Sequence, residues 1–335
     1  MRRILALILA LTAALALAGC GDDQQTAEST STGATRPAEV ILDWYPNADH
    51  AGLVGAVSQG FFAKHGLKVT TTVPTDPAAS LKQVAAGKAP FALSYAPEVL
   101  IARSQGVPVV AVGAIVPVPL NSVMARSDRG ITRPKDLEGK TVGAAGVPSD
   151  RALLDTIVKA DGGDPAKVRM RSVGYNLSPA LAAGKVDAVI GAYWNIERPE
   201  LEKKGVGLTV LRLEEHGVPT YPELVVVTSD AVAKDDPQLV RDFLAGLSEG
   251  QAWAAGNRDA AGQVLLKTNP DLSTATLDEQ LALTTPLFMR DGRAAVALDP
   301  AGWDALATWM RDEGLLKDTG RDVSAAVNAG LAPQD

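Results

Sequence analysis

The sequence predicts an α/β protein of two lobes, each a mostly parallel sheet flanked by helices, with a cleft between the lobes. Three observations carry this expectation. From residue 38 onward, apolar β-branched runs alternate with segments of helical period, the pattern of βαβ units. The alternation pauses over residues 116–146 and then restarts, which makes two units rather than one. The 335 residues are enough for two modest domains with their own cores.

Each element has a local reason. "EVILDW" (39–44) is an apolar strand, and residues 50–64 carry apolar side chains at helical spacing up to the C-terminal Gly66. "LKVTTTV" is a strand and "PAASLKQVAAG" a short helix ending at Gly87. "PFALSYA" is a strand, "PEVLIARSQG" a helix with Pro97 in its first turn, and "VPVVAVGAIV" a strand. After the pause come strand 140–145, helix 149–160, a "DGGDP" turn, strand 167–173, helix 178–183, strand 186–190, helix 195–204 and strand 208–213. "PELVVVTSD" (222–230) reads as a strand returning to the first unit. Everything beyond it reads as helical, with Trp253, Trp303 and Trp309 as packing elements. The expected division is residues 38–122 plus 222–335 for lobe 1, with the C-terminal helices, and 123–221 for lobe 2.

The N-terminus has another character. "MRRILALILALTAALALAGC" has two arginines, an apolar run and small residues before Cys20, the layout of a secretory signal peptide over residues 1–19. The run is short for a transmembrane span. "LAGC" resembles the lipobox of bacterial lipoproteins, which makes Cys20 the lipidated residue and the anchor to the membrane. Cys20 is the only cysteine, so disulfides and thiolate metal sites are not expected. Residues 20–37 are polar and small and read as a flexible tether. A net charge of -7 without a basic block argues against nucleic acid as a partner.

Ligands of open parallel sheets bind beyond the carboxyl ends of the strands. Polar and aromatic residues cluster there in both units. In "ILDWYPNADH", Trp44 and Tyr45 offer a flat apolar face, Asn47 both donates and accepts, and His50 sits near a helix start. The other reading of Trp44 is a core residue. "SYAPEV" adds Tyr95 and Glu98, the latter also explicable as a first-turn acid favourable to the helix dipole. "GAAGVPSDRALL" gives Gly146 and Ser149, either an anion or carbonyl site of free N–H groups or a plain turn with Ser149 as N-cap. "SVGYNLSPAL" adds Tyr175 and Asn176. "DAVIGAYWNIERPEL" brings Tyr193 and Trp194 beside Glu197, which can accept two hydrogen bonds from an amino-substituted heteroaromatic ring; a solvated Glu197 beside Arg198 is the alternative. Tyr221 lies near the return crossing. His50, His65 and His216 form no ligand spacing, and no nucleophile elbow is present. The inventory suits binding of a flat, polar-edged ring better than catalysis, with no cofactor.

"LDWYPNADHAG" and "GAYWNIE" carry a more specific resemblance. With "ITRPKDLEGKTVG", a feature of the wider class, they make residues 38–290 resemble periplasmic-type substrate-binding proteins of ABC transporters, in particular the NMT1/THI5-like group with its formylaminopyrimidine-binding members. The resemblance implies a type II periplasmic-binding-protein fold that closes on a pyrimidine held between aromatic rings, with an acid reading its amino edge. Those roles fall on Trp44, Asn47, Tyr95, Tyr193, Trp194 and Glu197. It also implies ABC permease subunits as partners, an extracytoplasmic location and a monomer. His50 stands where fungal synthases of the group use a histidine as pyrimidine source, but their cysteine-rich iron motif is absent here. Riboflavin or an anion such as a sulfonate or nitrate is the rival ligand, and a surface sensor the rival role.

Overall fold

A computed structural model describes residues 35–316 and 324–333. The expected leader and Cys20 lie outside the described residues. Among the described residues, no helix is long and apolar enough to cross a membrane.

The first run of the chain alternates β1 (Arg36–Ile41), α1 (Ala51–Ser58), α2 (Phe61–Lys64), β2 (Leu67–Thr72), α3 (Ser80–Ala85), β3 (Phe91–Ser94), α4 (Ala96–Ser104) and β4 (Val109–Val116). The second holds β5 (Asn121–Arg126), β6 (Thr141–Ala144), α5 (Asp150–Ala160), β7 (Arg169–Ser172), α6 (Leu177–Ala182), β8 (Ala188–Tyr193), α7 (Glu197–Lys203) and β9 (Leu208–Arg212). Then come β10 (Leu224–Ser229), α8 (Asp230–Asp235), α9 (Pro237–Gly256), α10 (Arg258–Thr268), α11 (Thr274–Thr284), β11 (Met289–Arg290), β12 (Arg293–Ala294) and α12 (Pro300–Asp312).

The strands build two five-stranded sheets, in the orders β2-β1-β3-β10-β4 and β7-β6-β8-β5-β9. In each sheet four strands run one way and one runs against them: β10 in the first, β5 in the second. The expectation of mostly parallel strands holds for direction, but pairings beside the reversed strand are antiparallel. The cause is the route of the chain. It leaves the first sheet at the carboxyl end of β4 and enters the second beside the carboxyl end of β8, where Asn121 pairs with Tyr193. On return, Leu224 pairs with Val116, again at a carboxyl end. A strand that starts at that edge must run the opposite way.

Strands β3, β10 and β4 of the first sheet are buried on both faces, as their unbroken apolar runs require, while the edge strand β2 alternates buried and exposed residues. Helix α1 is apolar nearly all round and packs on α9 at close range. A Cβ on Gly250 would lie 2.2 Å from the Gly52 carbonyl oxygen, so only glycine admits this approach. The C-terminal segment covers the edge of β4 through the Ala111–Val327 bridge. Trp303 is buried, as expected, and Trp253 packs on Gly55.

Two local expectations change. The helix foreseen over 50–64 is broken in two, because Gly60 takes the left-handed conformation (φ 72°) between α1 and α2. The tail is not wholly helical: Asp291 (φ 51°) and Gly292 (φ 80°) form the turn of the β11–β12 hairpin, the Asp-Gly pair that such a turn favours.

Candidate functional site

Strand β1 delivers the chain to Asp43, and the bend that follows is closed by Asn47. Asn47 caps a single 3-10 turn (Ala48–His50), its Oδ1 accepting the Asp49 N–H at 2.9 Å. His50 is fully buried behind this bend, with Nε2 3.0 Å from Asp43 Oδ1 and Nδ1 3.2 Å from the Asn47 N–H. An Nε2–H tautomer satisfies both contacts. The other Asp43 oxygen accepts from the Tyr95 hydroxyl at 3.1 Å.

On the second sheet, β8 ends at Tyr193, and α7 starts with Glu197, whose Oε2 accepts the Tyr193 N–H at 2.7 Å. Burial, reinforced by Glu200, pushes the Glu197 carboxyl up to about 8. The entries to the reversed strands contribute as well. Asn121 Oδ1 accepts the Gly191 N–H at 3.0 Å. Glu223, just ahead of β10, accepts from the Leu120 and Asn121 N–H groups (2.8 and 2.9 Å) and the Tyr193 hydroxyl (3.3 Å). Its carboxylate thus ties together the two crossings between the sheets. Burial outweighs these donors and raises Glu223 to about 7.

The loop between β6 and α5 departs from expectation. Its N–H groups are not free for an anion. Asp150 Oδ2 takes those of Gly146 and Val147 at 2.8 and 3.0 Å, and Glu98 Oε1 takes that of Ser149 at 2.8 Å. The Ser149 side chain makes no capping bond. Burial raises Asp150 to about 7 and also raises Glu98.

These groups meet around a narrow cavity lined by polar and aromatic side chains. Of the residues singled out in the sequence, Trp44, Asn47, Tyr95, Ser149, Tyr193, Glu197 and Tyr221 line it. The Tyr221 hydroxyl is buried and makes no well-formed hydrogen bond. The Tyr95 and Tyr193 rings stand edge to face at 6.5 Å.

The others lie outside the cavity wall, each for a physical reason. His50 is sealed behind Asp43 and Asn47. Glu98 sits one layer back, holding Ser149. Gly146 spends its N–H on Asp150, and Asn176 is exposed, its amide donating to the Val173 carbonyl. Tyr175 packs on Trp44 (4.5 Å) and Tyr45 (4.9 Å), and its hydroxyl donates to the Pro74 carbonyl at 2.9 Å. Trp194 faces away, under the Arg212 guanidinium at 4.1 Å, with its indole N–H on the Pro119 carbonyl. Trp44, Asn47 and Glu197 also face a larger outer groove of ≈ 440 Å³, so they form the partition between groove and cavity.

Sequence reasoning missed Asp43, Asn121, Asp150 and Glu223, all of which line the cavity. The wall therefore carries four carboxyl groups, and no lysine, arginine or histidine is among its described residues.

Residues 47–261 match the family model described as NMT1/THI5 like. The chain is 36% identical over 313 residues to the formylaminopyrimidine-binding protein of Halalkalibacterium halodurans, covering 92% of both chains. It is 25% identical over 254 residues to the 4-amino-5-hydroxymethyl-2-methylpyrimidine phosphate synthase of Legionella pneumophila subsp. pneumophila, covering 75% of this chain and 79% of that one. Among solved structures, the alkanesulfonate-binding protein SsuA from Xanthomonas axonopodis pv. citri, bound to MOPS, aligns with a TM-score of 0.68 at 18% identity, covering 88% of this chain and 99% of its own. That likeness shows a shared periplasmic-binding-protein fold.

Proposed function

The chain belongs to the NMT1/THI5-like family, and from that premise we propose that it is the solute-binding component of an ABC importer for a thiamin-type 4-aminopyrimidine. The observation that carries this reading is the buried Glu197 carboxyl in an aromatic-walled cavity. With its pKa raised to about 8, Glu197 is largely protonated at neutral pH. A neutral carboxyl has one donor and one acceptor side by side. It can donate to a ring nitrogen and accept from the neighbouring amine, which is the edge a 4-aminopyrimidine presents. Trp44, Tyr95, Tyr193 and Tyr221 offer flat faces, and Asn47 and Asn121 add amide groups to the cavity wall.

In this reading the two lobes are residues 38–122 with 222–335, and 123–221. Contacts between them, such as the Ser149 N–H on Glu98 and the Tyr175 hydroxyl on the Pro74 carbonyl, form as the lobes close. Opening admits the ring, and the closed surface is what the permease recognises. The lipid-bearing Cys20 would keep a monomeric, extracytoplasmic body near its permease. The anion rivals lose support because the loop N–H groups are already taken by Asp150 and Glu98. A synthase using His50 would need that imidazole against the ring, whereas it is buried with both nitrogens engaged.

The test is a calorimetric titration of the purified protein with 4-amino-5-hydroxymethyl-2-methylpyrimidine and its formylaminomethyl analogue, with riboflavin and taurine as comparators. Saturable heat from a pyrimidine alone supports the reading. Heat only from riboflavin or taurine would retain the importer role and end the pyrimidine assignment.

A further inference from the structure

We propose that Asp150 reads a protonated amine, so that the cavity favours a 4-aminopyrimidine bearing an aminomethyl cation over its neutral hydroxymethyl counterpart. This rests on the pyrimidine reading and adds the charge of the ligand to it. Three observations support it. Asp150 lines the cavity with only Oδ2 engaged, by Gly146 and Val147; Oδ1 has no hydrogen-bond partner among the described residues. Gly191 (φ 86°) leaves the space before that oxygen clear: a Cβ there would stand 3.7 Å from Asp150 Oδ1. The wall holds Asp43, Asp150, Glu197 and Glu223 and, among its described residues, no basic side chain, so nothing in it repels a cation.

The four acids do not share one task. Asp43 is occupied at both oxygens by His50 and Tyr95, and Glu223 by Tyr193 and the crossing backbone. Glu197 is tied to the Tyr193 N–H and, on the reading above, to the ring edge. That leaves Asp150 Oδ1 as the acceptor without an occupant. The groups facing Asp150 are Glu98 and Tyr95 on the first sheet's side and the cavity acids across from it; none is cationic. Arg151, next in the chain, is turned away to the Val168 and Pro165 carbonyls and to Asp155. Burial holds Asp150 near 7 in the unliganded protein, so an arriving ammonium group would ionise it and expel a proton. A charge-assisted hydrogen bond of this kind distinguishes cation from alcohol by about 10- to 100-fold in affinity.

The experiment is calorimetry of the full protein at pH 7 with 4-amino-5-aminomethyl-2-methylpyrimidine and 4-amino-5-hydroxymethyl-2-methylpyrimidine. Each titration is run in two buffers of different ionisation enthalpy. The aminomethyl compound should bind about 10-fold tighter or better, with proton release to buffer, and Asp150→Asn should bring the affinity ratio close to one. Asparagine keeps an oxygen for the Gly146 and Val147 N–H groups; should the variant fail to fold, the wild-type preference and proton release still decide. Equal affinity, a preference for the alcohol, or a preference that survives in Asp150→Asn overturns this inference and leaves the pyrimidine reading standing. Binding of neither compound overturns this inference, and it ends the pyrimidine reading as well if the formylaminomethyl analogue also gives no heat.

Discussion

Glu197 is 8% exposed, accepts a backbone N–H and forms no ion pair among the described residues. Its role can be separated from that of a plain carboxylate by substitution and by pH. Glu197→Ala removes the donor and the acceptor together and should weaken pyrimidine binding by about 10- to 100-fold. Glu197→Gln keeps a donor–acceptor pair and should retain much of the affinity. Because the bound pair holds one proton, affinity should stay level through neutral pH. Above about 8, where the free carboxyl ionises, it should fall by about tenfold per pH unit. Titrations of both variants and of the wild type from pH 6 to 9 check this; a level profile across that range would count against a neutral Glu197. Trp44 and Glu197 were readable in the sequence because each follows a forward strand inside a cluster of aromatic and amide residues. Asp43 was not. It stands beside Trp44 as one more polar residue at a strand end, and its importance comes from Tyr95, 52 positions away, and from His50 behind it.

The elements explain the other omissions. The rule that ligands sit beyond strand carboxyl ends found Tyr95, Tyr193 and Glu197, since β3 and β8 run forward. It could not find Asn121 and Glu223, which stand at the start of β5 and just ahead of β10, the two strands that run backward. Strand direction is fixed by how the chain crosses between sheets, and no local periodicity records that. The β11–β12 hairpin was missed although "RDGR" carries its Asp-Gly turn, because its two-residue strands are too short to break the helical pattern of the tail. Close packing of α1 on α9 is a further element-scale feature. Gly250→Ala would gain about 1 kcal/mol of helix propensity, but its Cβ would fall on the Gly52 carbonyl. Overpacking against backbone costs about 1–3 kcal/mol, so the variant should be less stable in urea than the parent. Gly256→Ala, at the open end of α9 with nothing within 4 Å, should not be. Equal midpoints for the two variants would contradict the close approach.

For the whole molecule, folding buries carboxyls that water would otherwise ionise. Asp49, Asp150 and Glu223 are raised to about 7 and Glu197 to about 8, burial being the first cause in each. Unfolded, such acids titrate near about 4, so between there and about 8 the folded chain binds more protons than the unfolded one. Stability should therefore fall as pH rises through that window. Surface acids such as Asp161, held at about 2 by Arg133, act below it. Denaturation of the unliganded protein should give a higher midpoint at pH 5 than at pH 8, and the reverse order would show that these carboxyls are not neutral in the fold. The paired lobes were legible from the restart of the strand–helix alternation. The acid-lined cavity was not, because Asp43, Asp150 and Glu223 come from three separate segments that only the folded chain brings together. The most direct test of the whole account is a crystal structure of the protein grown with 4-amino-5-hydroxymethyl-2-methylpyrimidine. The account predicts the ring inside the cavity, with its amino group and adjacent ring nitrogen at hydrogen-bond distance from Glu197 and Trp44 closing the outer side. A ring bound in the outer groove, or bound in the cavity with its amino edge turned from Glu197, would contradict it.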